Sequence, residues 1–225
     1  MKTKIRAKKA LMVQRLLYND EGWRADDKKI SIQNPNKNVC VFDALLMLKR
    51  NNLSFILTHV FCVNLKKLSL HYQSCSFAEY KSMVASSKLE EVELRDCIVR
   101  NENGKILDVA DLMKELPNIN SFDYTFFFNA PTEVVTPEIM QKLVELPTFP
   151  NLLELKFFHI HELFDLEAFG EFIRKNPTIR QYDFFYVDGT VEFLQQITQV
   201  KENLILTLPA GCYLNVVANV DEDDA

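Results

Sequence analysis

The sequence has few of the residues that most catalytic and cofactor-binding motifs require. Only 5 Gly and 4 His occur among 225 residues, and there is no phosphate-binding loop, dinucleotide-binding fingerprint or nucleophile-elbow motif. With 8 Pro and so little Gly, collagen-like and low-complexity disordered chains are also excluded. We therefore expect no catalytic residues and no cofactor, and we predict that the protein is not an enzyme.

The cysteines are few and scattered, at Cys40, Cys62, Cys75, Cys97 and Cys212, with no Cys-x-x-Cys pair. This pattern excludes a dense disulfide framework and lacks the ligand spacing of a zinc site, so we expect no metal. It favours reduced thiols in an intracellular protein, cytoplasmic or nuclear. No apolar run is long enough to span a membrane, so no membrane partner is expected.

Positive charge is also scarce relative to negative charge. The net charge is −5, which disfavours nucleic acid as a partner of the whole chain. Five of the first nine residues are basic, and we interpret them as a solvated segment rather than an RNA contact.

What the sequence does contain is a recurring apolar pattern. Hydrophobic residues make up 48% of the chain, and five segments share the spacing apolar-x-x-apolar-x-apolar. The segments begin 24, 30, 33 and 27 residues apart, at Leu65, Leu89, Ile119, Leu152 and Ile179. Periods in this range are typical of strand–helix repeats, which build recognition surfaces without catalytic chemistry.

This pattern predicts an α/β leucine-rich-repeat-like solenoid, an irregular horseshoe of about five strand–helix units with a helical N-terminal cap. A closed α/β sheet is the structural alternative. We divide the chain into a helical cap over 1–60, a repeat domain over 61–215 and an acidic tail over 216–225.

The helices and the last strand are predicted from local signals. Two helices are expected in the first 60 residues, over 7–18 and around 42–48. Three later helices have N-terminal signals, namely a capping box, an N-cap followed by proline and an aspartate N-cap: Ser76-x-x-Glu79, Thr136-Pro137 and Asp165. A sixth, degenerate strand is predicted at 203–206.

Alternation along the five strands defines an exposed face. The apolar triplets point toward the helices, and the x positions point to the other side of the sheet. Aromatic residues collect at one end of that side, with charges around them, as at the centre and rim of a protein interface. The predicted partner-binding residues are Phe127, Phe158, Phe185, Asp123, Lys156 and Asp183. Two other arrangements fit the same residues: a C-terminal segment that covers the aromatics, or a two-sided core.

One pair of side chains resembles part of a metal site. His159 and His161 lie two residues apart, so in a strand they would share one face. No cysteine nearby supplies a third ligand, although Glu162 and Asp165 are close. We interpret the pair as chance placement.

Two stretches of the chain resemble a known family. They read LEEVELRDCIV…NENGKILDVADLMKELPNINSFDY and FPNLLELKFFHIHELFDLEAFGEFIRKN, and the most telling part is 162–169, with Phe172-Ile173 and Lys175-Asn176 after it. Over about residues 60–200 the chain resembles the F-box-associated, FTH-type region of nematode F-box proteins, a region with leucine-rich-like repeats.

The resemblance implies a substrate-recognition module of a Skp1–cullin–F-box ubiquitin ligase, whose protein partner is a ubiquitination substrate. An F-box would also dock a Skp1-type adaptor, but residues 1–50 lack the Leu-Pro start of that segment. The resemblance therefore implies, as the alternative to a helical cap, a degenerate F-box-like region over 1–60. A stand-alone binding module without ligase recruitment is therefore the alternative. RNA binding through the basic N-terminus and the aromatic face, and an unrecognised α/β enzyme, are further alternatives.

Overall fold

The structure is a computed structural model, and it describes residues 10–32, 38–62, 64–126, 136–187 and 189–218. It is a mixed α/β fold with one large sheet of eleven strands and a small sheet of two. In chain order, the strands are β1 (Leu11–Asn19), β2 (Gly22–Ala25), β3 (Lys28–Lys29), β4 (Val39–Met47), β5 (Val60–Cys62), β6 (Lys67–His71), β7 (Ser74–Ser76), β8 (Glu91–Arg95), β9 (Ile98–Arg100), β10 (Ser121–Thr125), β11 (Glu154–Ile160), β12 (Gln181–Tyr186) and β13 (Tyr213–Ala218).

The described part of the chain contains six helices. They are α1 (Leu53–Leu57), α2 (Phe77–Val84), α3 (Val109–Met113), α4 (Pro137–Glu145), α5 (Leu166–Lys175) and α6 (Val191–Ile205). None of them is both long and apolar enough to cross a membrane.

The strands of the large sheet follow the order β13-β12-β11-β10-β8-β6-β4-β1-β2-β3, with β5 also paired to β4. From β13 to β1 every pairing is parallel, whereas β1–β2 and β2–β3 are antiparallel. Helices connect most of the later parallel strands, as parallel pairing requires a crossover. The sheet is open, with β13 at one edge and β3 at the other.

The apolar triplets form the inner face of the strands from β6 to β12. All fifteen triplet residues are at most 5% exposed, and they belong to one hydrophobic core that extends from Val13 to Leu214. Fully burying a side chain of this size contributes about 1.5–3 kcal/mol. Buried residues of all six helices join the same core, so the helices pack against the triplet side of the sheet.

The three predicted helix starts are confirmed. Ser76 and Glu79 form a capping box at the start of α2, in which each side chain satisfies a backbone N–H of the other residue. Proline opens α4 directly after Thr136, and the Asp165 carboxylate accepts a hydrogen bond from the Ala168 N–H at the start of α5.

The predicted architecture is wrong. Instead of a leucine-rich-repeat-like horseshoe of five units with a helical cap, the chain forms a large, mostly parallel sheet of eleven strands, and this sheet is not closed. The difference originates in the first 62 residues, which contribute five strands to the same sheet rather than a helical cap. The antiparallel β1–β2–β3 segment then makes the sheet mixed.

The two predicted N-terminal helices are strands for different reasons. In β1, Val13 and Leu16 both face the core at a helix-like spacing because the register with β4 shifts between Val13 and Arg15. In β4 the apolar run is buried between β1 and β6, and a short apolar run cannot be assigned from periodicity alone.

The predicted last strand is also misplaced. Residues 203–205 belong to α6, which ends at Ile205, and the final strand is β13. Leu204 is buried on one side of the helix, while Ile205 and Leu206 are 46% and 85% exposed. Burial on one side only is expected for the end of a helix that packs on a core. The consecutive apolar residues in the sequence do not reveal that only one of them is buried.

Candidate protein-binding face

The side of the sheet that points away from the helices is a grid of three rows. Adjacent strands from β6 to β13 pair without a register shift across this grid, so equivalent x positions stand side by side. The first row is Lys67, Glu91, Ser121, Glu154, Gln181 and Tyr213; the middle row is Ser69, Glu93, Asp123, Lys156, Asp183 and Asn215; the third row is His71, Arg95, Thr125, Phe158, Phe185 and Val217. We call this grid the open face.

The third row holds the aromatic pair that the sequence predicts. The rings of Phe158 and Phe185 stack in parallel, with centroids 4.6 Å apart and planes inclined by 5°. Both side chains are half-buried, so part of each ring remains in contact with water. Val217 extends this apolar strip to the edge of the sheet and is 38% exposed. The third predicted aromatic, Phe127, lies outside the described residues.

The middle row contains a compact polar cluster around Glu93. Its carboxylate accepts a hydrogen bond from the Ser69 hydroxyl at 2.7 Å and forms an ion pair with Arg95 Nε at 2.6 Å, and it lies 3.2 Å from His71 Nε2. The hydrogen bond with His71 is the largest of the effects that lower the pKa of Glu93, to about 2. Glu93 is therefore a fixed negative charge at neutral pH.

Asp123 stands beside Glu93 in the same row and behaves in the opposite way. Burial raises the pKa of its carboxyl to about 6, against the attraction of Arg95. Arg95 Nη2 approaches Oδ2 only to 3.8 Å, and the buried Oδ1 has no hydrogen-bond partner among the described residues. This carboxyl is thus poorly solvated and weakly paired.

The other two predicted charged residues have partners within the face. Lys156 Nζ lies 3.2 Å from a Glu154 oxygen. Asp183 accepts hydrogen bonds from the Gln181 amide at 2.6 Å and the Asn215 amide at 3.3 Å. Lys156 remains partly exposed, but Asp183 is only 7% exposed and forms no exposed rim.

Alternation alone overstates how open this face is. Ser69, Thr125 and Asp183 are buried although they occupy x positions that the sequence predicts to be exposed. Each has a cross-strand neighbour on both sides, and for Ser69 these are Leu46 and Glu93. Longer side chains next to a short one cover it. The exposed groups are therefore the longer side chains.

A cleft of about 450 Å³ lies over the first and middle rows of β8, β10 and β11. Its lining includes carboxylates of Glu91, Glu93 and Asp123 together with Lys67 and Lys156, and it does not include the two stacked phenylalanines. Lys67 pairs with Glu91 at 2.6 Å, so much of the charge is already neutralised. The cleft and the aromatic strip are adjacent parts of one face.

Several residues of this face were missed by reasoning from the sequence as site residues. Glu93, Asn215 and Val217 are not among the predicted site residues, and the strand that contains Asn215 and Val217 was not predicted. Alternation of Tyr213, Asn215 and Val217 along the chain is the signal that predicts that strand.

The described residues offer little for metal binding or nucleophilic catalysis. No group of three or more His, Cys, Asp or Glu side chains within them is placed to hold a metal ion. His159 lies at the register shift of β11 with a φ of 54°, and His161 follows the strand. The Ser69 hydroxyl and Glu93 both approach the same His71 nitrogen, and Ser69 is fully buried, so they do not form a nucleophile relay.

In comparisons with known proteins, the chain matches no family model, no curated protein and no solved structure. Functional interpretation therefore depends on the geometry of the open face.

Proposed function

We propose that this chain is a non-enzymatic binding protein that holds a protein partner on its open face. The observation that carries this proposal is the half-buried Phe158–Phe185 stack, on a side of the sheet that the described helices leave uncovered. Aromatic anchors at the centre of an interface supply most of its binding energy, while surrounding polar contacts exclude water. Val217 stands beside Phe185 in the same row and extends the pair into an apolar strip that reaches the edge of the sheet.

The charged cleft supports a role in orientation rather than attraction. Its ion pairs, such as Lys67–Glu91 and Lys156–Glu154, are exposed and already satisfied, and exposed pairs contribute little affinity. Charge patterns of this kind fix the register of a partner and reject wrong ones. The carboxylates of the first two rows also disfavour a nucleic acid.

We place this binding function in ubiquitination, with a ubiquitination substrate as the partner, because residues 60–200 resemble the F-box-associated region. We also propose that the protein works inside the cell, in the cytoplasm or nucleus, because its five cysteines are free thiols and a reducing compartment keeps thiols unpaired. Recruitment of a Skp1-type adaptor is a separate question, and the stand-alone binding module is the alternative.

The open-face proposal is tested by changing the stacked pair. The Phe158→Ser/Phe185→Ser double variant removes the anchor, and Leu163→Ser is the matched control because Leu163 is 45% exposed and lies outside the three rows. Full-length parent and variants serve as baits in affinity purification with quantitative mass spectrometry. We expect the recovery of the specific partner to fall at least tenfold with the double variant, since hot-spot aromatics contribute about 2 kcal/mol or more to binding.

Urea denaturation of the same variants separates binding from folding. Half-buried rings predict a loss of about 1 kcal/mol per substitution, so the double variant should remain folded. Unfolding of the double variant would mean that the pair belongs to the core and would contradict the proposal. Equal partner recovery with all three proteins would contradict it as well.

Adaptor recruitment is tested with purified Skp1-type adaptor and the full chain. Complex formation in size-exclusion chromatography supports a place in the ligase. A chain that elutes separately from the adaptor yet retains its other partner is the stand-alone module.

A further inference from the structure

The two edges of the large sheet are built differently. At one edge β3 has only two residues, and both are lysines, a common way to stop further strands from pairing. At the other edge β13 has six residues, Tyr-Leu-Asn-Val-Val-Ala, with no charge and no proline. It pairs with β12 along its whole length without a register shift. Nothing in the sequence of β13 discourages another strand.

The outer backbone groups of β13 alternate along the strand. The N–H of Tyr213 donates to the Arg180 carbonyl at 2.8 Å, so Tyr213, Asn215 and Val217 direct their backbone groups toward β12. The N–H and C=O groups of Leu214, Val216 and Ala218 consequently point away from the sheet. No strand in the described ranges lies on that side.

This edge continues the aromatic strip of the open face. Val217 stands next to Phe185 in the third row, and Phe185 stacks on Phe158. Tyr213, in the first row of the same strand, is 60% exposed. A strand added outside β13 would place a side chain next to Val217 and extend the strip by one position.

We propose that β13 receives an extended segment of the partner protein as an added strand, with an apolar side chain beside Val217. This rests on the proposed function and specifies the form of the partner: an uncharged segment with alternating apolar residues, whose backbone pairs with Leu214, Val216 and Ala218. Such strand addition gains affinity from main-chain hydrogen bonds and specificity from alternate side chains.

Interface area favours a partner segment over a second copy of the chain. Six residues of strand are about 20 Å long, and edge-to-edge pairing of two such strands buries only a few hundred Å². A stable interface needs about 1,200 Å² or more. A partner that adds a strand and also covers Phe158 and Phe185 gains the missing area.

The test begins with peptide selection from a phage-displayed library of random twelve-residue sequences against the purified full chain. Selected peptides are synthesised and added to the isotope-labelled protein, and amide hydrogen exchange is followed by NMR. We expect peptides with alternating apolar residues. On binding, exchange at Leu214, Val216 and Ala218 should slow at least a hundredfold, with little change at Tyr213, Asn215 and Val217, which are already bonded to β12.

Two matched pairs of variants examine backbone and side chain separately. Ala218→Pro removes one outward N–H at the end of the strand, with Ala218→Ser as its control. Val217→Lys places a charge beside the incoming strand, and Leu163→Lys is its control because it places the same charge at an exposed residue outside the three rows. We expect at least tenfold weaker peptide binding with Ala218→Pro and Val217→Lys, near-parent binding with the controls, and a similar urea midpoint for all four.

Each other outcome overturns the inference in an identifiable way. Peptides that require Phe158 and Phe185 but leave exchange at β13 unchanged would disprove strand addition and leave the open-face function standing. Slow exchange of the three amides in the free protein would show that the edge is already covered. If the exchange rate depends on protein concentration, a second copy covers the edge; if it does not, the chain itself does. A selection that yields no binding peptide would also overturn the proposed strand addition.

Discussion

Two neighbouring carboxyl groups of the middle row, Glu93 and Asp123, have pKa values displaced in opposite directions. Three donors surround Glu93, whereas Asp123 is buried with one distant guanidinium, and this difference separates them to about 2 and about 6. Two acids one strand apart can therefore carry different charges in mildly acidic solution. The open face changes its charge at one residue as the pH falls.

Substitution of Asp123 should reveal the cost of its ionised form. The folded-state pKa is raised above the value of the unfolded chain, so the cost is fully present above about pH 6 and disappears below about pH 4. We expect Asp123→Asn to gain about 1–2 kcal/mol of unfolding free energy relative to the parent on going from about pH 4 to about pH 7, because a shift of this size is reduced by partial exposure.

Urea denaturation across that pH range measures the effect. Glu102→Gln is the control, because Glu102 is an exposed carboxyl in the loop after β9. A stability difference between Asp123→Asn and the parent that stays constant with pH would contradict the assignment.

At the residue scale, the sequence predicts which side chains share a face of the sheet, but not which of them are buried by their neighbours. The stacked pair Phe158–Phe185 was expected as neighbours, because strand alternation and the spacing of the triplets place them at equivalent positions of adjacent strands. Burial of Asp183 was not, because it depends on Gln181 and Asn215, and β13 was not predicted. Cross-strand neighbours decide such details, and a single sequence does not identify them.

Among the elements, α2 has the most complete N-terminal cap. The Ser76 hydroxyl accepts from the Glu79 N–H, and the Glu79 carboxylate accepts from the Ser76 N–H at 2.8 Å. Hydrogen bonds from Ser54 and from Ser76 lower the pKa of Glu79, against its partial burial. These interactions favour the ionised form of the capping carboxylate.

Loss of this cap should destabilise the protein by about 1 kcal/mol, since one N–H of the first turn would lose its partner. We expect this loss of unfolding free energy for Ser76→Ala in urea denaturation. Ser82→Ala, in the exposed part of the same helix, is the matched control and should be close to neutral because alanine favours helices. Equal effects of the two substitutions would show that the capping contact contributes nothing.

Elements with local signals were predicted well, and elements defined by their neighbours were not. Capping side chains mark where α2 and α5 begin, and Pro137 marks the start of α4; each signal lies within a few residues of the helix it starts. Strands β1 and β4 have no such local signal. Their apolar residues fit a helix equally well, and pairing with distant strands decides between the two.

At the scale of the whole molecule, β4 connects the N-terminal strands to the rest of the sheet. It pairs with β1, which comes before the predicted boundary at residue 60, with β5, which lies at that boundary, and with β6, which follows it. One hydrophobic core includes residues from both parts. The division of the chain at residue 60 stays a prediction, and the pairing leads us to expect that the two parts unfold together.

Coincident unfolding can be measured with the natural probes of the chain. Trp23 is the only tryptophan and is buried beside Tyr18, with ring centroids 4.7 Å apart, so its fluorescence reports on the N-terminal strands. Far-UV circular dichroism reports largely on the helices after residue 76. We expect the same urea midpoint from both probes, as for one cooperative unit. An earlier transition at Trp23 would indicate that the N-terminal strands unfold separately.

The unshifted register across the three rows of the open face has a consequence for how this protein can change over time. Backbone pairing, not side-chain packing, fixes the position of every residue in the three rows. The triplet residues on the opposite side carry the core. Mutations can therefore replace the chemistry of the open face one residue at a time while the fold stays intact, and descendants of one sheet can acquire different partners.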